Sequence, residues 1–70
     1  MRNIKVRAET ASARDRAQRA IEEAFDGTLS GAFGGGGGEY WIDMILPDGV
    51  SFADAEEAVA AIPGVTVEER

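Results

Sequence analysis

An α+β fold of order β-α-β-β-α-β is predicted for this chain, and three observations predict it. Two segments carry alanine-rich apolar residues at helical spacing, each preceded by capping residues and followed by glycine or proline. The segments at either end of the chain alternate apolar with charged or polar residues. Between the two helical stripes, behind a run of glycines, lies a third alternating segment rich in aromatic and β-branched residues. A 3.6-residue period buries one stripe of a helix and a 2-residue period buries one face of a strand, so these patterns assign element types directly.

The first strand is read from Ile4, Val6 and Ala8 on one side and Asn3, Lys5 and Arg7 on the other. A helix follows, with Thr10 or Ser12 as its cap and Ser12 with Asp15 in the spacing of a capping box. Its stripe is Ala13, Ala17, Ala20, Ile21, Ala24 and Phe25, while Arg14, Arg16, Arg19, Glu22 and Glu23 fall mostly on the other side. Gly27 is the expected C′ residue, because it accepts the left-handed conformation without steric cost. Thr28–Phe33 reads either as a short second strand, in which Leu29 and Phe33 share a face by parity with Gly31 between them, or as an irregular connection that leaves a three-stranded sheet. Gly34–Gly38, five consecutive glycines, is expected to be a flexible hairpin loop.

Glu39–Leu46 has the best strand pattern in the chain. Tyr40, Ile42, Met44 and Leu46 lie on one face and Trp41, Asp43 and Ile45 on the other. Pro47-Asp48-Gly49 is a turn. Ser51 then caps a second helix with Asp54 at the capping-box position, Val50 placed for a hydrophobic staple, and a stripe of Phe52, Ala55, Ala58, Val59 and Ile62. Pro63-Gly64 ends it, and Val65 and Val67 face inward from the last strand.

Two helices joined to strands by short connections suit one face of a mainly antiparallel sheet. Right-handed crossovers lead from there to a ferredoxin-like two-layer sandwich of three to four strands, the first and third central. Residues 1–70 are read as a single domain. Such a chain buries only ~60% of the surface its unfolded form exposes, so its core is small. With no cysteine to add a disulfide, packing must supply the stability, helped by a partner or a second copy.

Composition narrows function further. Seven basic residues stand against 13 acidic ones, a net charge of −6, which disfavours direct binding to nucleic acid and to anionic membranes. The apolar runs are far below the ~20 residues of a membrane span, and the amino-terminal segment alternates rather than forming a signal peptide, so a cytoplasmic protein is expected. Without histidine or cysteine, the usual zinc ligands and nucleophile–base pairs are missing, and no cofactor or metal is expected. The glycine run lacks the Lys-Ser/Thr and the helix start of a phosphate loop. Carboxylates are plentiful, but Glu22-Glu23 and Glu56-Glu57 fall on exposed helix faces and no spacing singles out a catalytic pair. A non-enzymatic role follows.

What remains is the sheet face opposite the helices, which presents Lys5, Arg7, Trp41, Asp43 and Ile45, with Asn3, Thr66 and Glu68 around them. A tryptophan beside arginine is the composition of a protein-binding hot spot; the other reading of Trp41 is an indole covered by the glycine loop, by the C-terminus or through an inverted strand parity. The leading expectation is a small protein-interaction module that binds a protein partner or a second copy of itself through this face. Two alternatives stand beside it: an acidic inhibitor or decoy of a nucleic-acid-binding protein, and a small-molecule-sensing regulatory domain. The element order resembles small ferredoxin-like modules such as heavy-metal-associated and amino-acid-sensing regulatory domains. The junction Glu9-Thr10-Ala11-Ser12-Ala13 carries neither the thiols of the former nor the glycine of the latter, so neither function transfers.

Overall fold

The computed structural model describes residues 2–70. Its elements are β1 (Arg2–Ala8), α1 (Ala11–Ala24), β2 (Leu29–Gly36), β3 (Glu39–Leu46), α2 (Phe52–Ala58) and β4 (Val65–Glu69). The four strands form one antiparallel sheet in the order β2-β3-β1-β4, which is the ferredoxin-like topology. Both helices lie on the same face, as two right-handed crossovers require. No helix among the described residues is long and apolar enough to cross a membrane.

The helix starts follow the capping chemistry in the sequence. Thr10, rather than Ser12, caps α1: its Oγ1 accepts from Ala13 N–H at 3.0 Å. Ser51 and Asp54 form a reciprocal capping box, with Ser51 N–H donating to Asp54 Oδ2 at 2.9 Å and Asp54 N–H to Ser51 Oγ at 3.1 Å. Both helices stop short of where their stripes run out. α1 ends at Ala24 with Phe25 as its C-cap, so Gly27 stands two residues beyond the cap, still at φ +93°. α2 ends at Ala58, and i→i−3 bonds such as Ile62 N–H to Val59 C=O at 3.0 Å carry the chain on as tightened turns to Pro63.

The core is one cluster. Ile4 and Val6 of β1 and Ile42, Met44 and Leu46 of β3 pack against Ala17 and Ile21 of α1, Ala55 of α2, and Val59 and Ile62 beyond it. Each aliphatic side chain of this size contributes about 1.5–3 kcal/mol when fully buried. Val65 and Val67 flank the cluster half-buried, and the inward parity read for β1, β3 and β4 is the one observed.

β2 departs from expectation in three respects. It is longer than Thr28–Phe33, because Gly34, Gly35 and Gly36 pair with Trp41, Tyr40 and Glu39 of β3. The loop assigned to 34–38 is therefore only the two residues Gly37-Gly38, whose φ of +63° and +84° match the both-positive requirement of a type I′ hairpin turn. The strand also contains a bulge: Ser30 pairs with Met44 and Phe33 with Ile42, leaving Gly31 and Ala32 opposite Asp43 alone. One extra residue reverses parity. Leu29, across from Ile45, faces away from the helices, and Phe33, across from Ile42, faces toward them, so the shared face expected for the pair does not exist.

Candidate interaction surface on the open sheet face

The sheet's second face carries no helix, and the register decides which side chains meet on it. Across β1 and β3, Asn3 opposes Ile45, Lys5 opposes Asp43 and Arg7 opposes Trp41. Across β1 and β4, Lys5 opposes Glu68 and Arg7 opposes Thr66. All five residues singled out in the sequence, Lys5, Arg7, Trp41, Asp43 and Ile45, thus come together on the two central strands, each half-buried. Leu29 joins them at the β2 edge, 57% exposed.

Trp41 is less open than its parity suggested. Its indole lies flat against Gly34, where a Cβ would sit 2.8 Å from Cζ2, and Lys5 Nζ stands 4.8 Å from the ring centroid. On the helix side Tyr40 covers Gly35 in the same manner, with 2.2 Å to the place a Cβ would occupy. The aromatic rings supply the packing that the glycines lack, which is why a glycine-rich stretch persists as a strand here.

The charged residues of the face are paired within the chain. Arg7 bonds Glu68 through Nε at 2.5 Å and Glu39 through Nη1, and the Glu68 hydrogen bond leads the interactions that raise the guanidinium pKa above its usual value. Arg70 Nη1 reaches Asp43 Oδ2 at 2.5 Å, while Arg70 N–H bonds Asn3 C=O at 2.9 Å and extends the β4 edge by one residue. Asp43 Oδ1 is buried without a hydrogen-bond partner, because its cross-strand neighbour Lys5 reaches to the indole instead. Lys5, Arg7 and Arg70 balance Glu39, Asp43 and Glu68, so this face is neutral and the net −6 of the chain resides entirely elsewhere.

Three features escaped the sequence reading. Leu29 lies on the open face only because of the bulge. Arg14, assigned to the solvent side of α1, folds back over the sheet edge: Nη1 donates to Gly34 C=O at 3.0 Å, and the guanidinium stacks over Phe33 at 5.1 Å and Tyr40 at 5.8 Å. Phe33 is 66% exposed, beside an open groove of about 460 Å³ between α1 and β2. Glycine density in β2 was the available signal, since a wall of Gly and Ala leaves room for a long side chain from the neighbouring helix. Among the described residues no group of three carboxylates converges to hold a metal ion. Comparison with family models, curated proteins and solved structures finds no match to this chain.

Proposed function

We propose that this chain is a non-catalytic protein-interaction module whose open sheet face binds a second copy of itself. The observation that carries the reading is charge placement. A chain of net charge −6 repels its own copies everywhere except over a neutral surface, and the open sheet face is neutral. That face also offers the half-buried apolar atoms of Trp41 and Ile45 with the exposed Leu29, ringed by Arg7 and Lys5. Two copies related by a two-fold axis would bring the same patch together from both sides, as an isologous interface requires, and would exchange some internal ion pairs for pairs across the interface.

The test is mass in solution by light scattering over a concentration series. The parent is expected at twice its 7.4 kDa chain mass at the upper concentrations. Trp41→Glu and Ile45→Glu, each placing a carboxylate in the patch, are expected to remain at the single-chain mass. A parent that stays monomeric throughout refutes the reading.

A second reading rests on the same charge count. Since the whole net charge lies off the open face, the opposite surface is acidic, with Asp54, Glu56 and Glu57 on α2 exposed and no Lys or Arg on that helix. It suits a basic partner such as a nucleic-acid-binding protein held in check by a decoy. Affinity for such a partner would fall steeply between low and high salt, and a flat salt dependence excludes it.

A further inference from the structure

The two exposed large hydrophobic residues of the described chain, Leu29 and Phe33, both lie on β2, one on each face of the sheet. β2 is an edge strand with β3 on one side and no strand on the other. Free edges are ordinarily blunted by charge, and the opposite edge obeys this rule, with Glu68, Glu69 and Arg70 at its end. β2 does not: no charged residue occurs from Gly27 to Gly38, and no proline either, so the bulge at Gly31-Ala32 is the one blunting feature of this edge. Arg14 occupies the carbonyl of Gly34, which leaves the stretch from Leu29 to Phe33 as the open part of the edge.

From this we infer that the β2 edge takes up an extended segment of a partner protein as a fifth strand. The shape of the apolar surface selects the occupant. A body resting on the open sheet face reaches Leu29 but not Phe33; a helix in the α1–β2 groove reaches Phe33 but not Leu29. A strand laid alongside β2 projects alternate side chains to both faces and covers both at once, its main chain bonding to β2 and its side chains filling the groove. The groove is wide enough for one large apolar side chain, bounded by Gln18, Ser30 and Phe33 with Ile42 at its floor.

Charge defines the partner further. Glu22, bonded to Ser30 Oγ at 2.5 Å and Gln18 Nε2 at 3.2 Å, has no cation on it among the described residues, and Asp26 lies just before the strand. Asp15 lines the groove too, but Arg14 lines it beside Asp15 and pairs with it at 3.4 Å, so Glu22 and Asp26 set the net negative charge of the rim. This acidic rim would oppose the same rim on a second copy, and it favours a segment with Lys or Arg flanking a centre of alternating apolar residues. The site shares Leu29 with the open-face dimer, but Phe33, on the helix side of the sheet, belongs to the strand site alone and tells the two apart.

The experiment selects a displayed library of random 12-residue peptides against the full chain. Enriched peptides are expected to carry apolar residues at alternate central positions, basic residues at the ends and no central proline. Leu29→Ser and Phe33→Ser, both at exposed positions, should each weaken binding of the best peptide about tenfold or more, with Thr66→Glu, on the open face but at the far edge on β4, leaving it unchanged. Hydrogen exchange at the amides of 29–33 should slow when that peptide binds. The inference is overturned if no peptide is enriched, if both serine variants bind as tightly as the parent, or if exchange at those amides is unaltered. It is also overturned if the protein alone is a dimer that Phe33→Ser dissociates, because the occupant is then a second copy.

Discussion

An alanine scan through the glycine-rich strand separates a paired strand from a slack connection, because the structure assigns each glycine a different environment. At Gly35 a Cβ would lie 2.2 Å from Tyr40 Cδ1 and 3.0 Å from Cγ, against an ordinary carbon–carbon separation of roughly 3.5–4 Å. The Tyr40 ring must then move by about 1 Å or more, away from its stacking under Arg14. Overpacking of this kind costs about 1–3 kcal/mol, and the lower unfolded-state entropy of alanine returns about 0.4–1 kcal/mol. Gly35→Ala is therefore expected to destabilise by about 1–2 kcal/mol, a fall in Tm of roughly 5–15 °C for a chain this short.

Gly31 is the internal control. A Cβ there meets only Asp43 C=O at 3.5 Å, so Gly31→Ala should be neutral or stabilise by about 0.5 kcal/mol. Gly37 and Gly38 have empty space around them but left-handed backbones, and alanine at either should cost about 1–2 kcal/mol through strain alone. Urea denaturation at one fixed protein concentration, followed by circular dichroism, measures all four. A uniform response, with Gly35→Ala indistinguishable from Gly31→Ala, would refute the pairing of β2 against the aromatic rings of β3.

Further outcomes follow from the helices. Ser51→Ala removes one half of the α2 capping box and should cost about 1 kcal/mol, read as a Tm shift of roughly 4–8 °C. The backbone N–H of Ser51, aided by its hydroxyl, holds the Asp54 carboxyl below its ordinary pKa, so ionised Asp54 stabilises the fold at neutral pH. That contribution is present above the ordinary carboxyl range and disappears as pH falls through the depressed value. The Tm gap between the parent and Asp54→Asn should thus shrink below ~pH 4; a constant gap would mean the bond is not charge-dependent. Arg14→Ala strips the guanidinium from Gly34 C=O, Phe33 and Tyr40, and should destabilise by about 1–2 kcal/mol. Arg14→Lys, a point charge without the planar fork, should recover less than half of that in the same melt.

The parts of the fold legible in the sequence are those governed by local periodicity. The parity of Ile4-Val6-Ala8 and of Ile42-Met44-Leu46 admits one buried face only, because shifting either strand by one residue would carry the whole aliphatic set into water. The Ser51–Asp54 box acts within a single turn of backbone and needs no tertiary partner. With those elements in place, short connections and right-handed crossovers leave few arrangements other than the observed strand order.

Whatever depended on residues distant in the chain was decided only by the tertiary structure. Gly34–Gly36 has no strand propensity of its own and is held extended because Trp41 and Tyr40 lie across it from β3. The bulge at Gly31-Ala32 sends Leu29 and Phe33 to opposite faces, and no alternation count anticipates an extra residue. Lys5 stacks on Trp41 rather than bonding Asp43, and Arg70 takes the carboxylate from the far end of the chain. Composition alone shows a chain of net charge −6; that its open face is neutral follows from long-range register, since local sequence restricts backbone angles and only the completed sheet determines which side chains become neighbours.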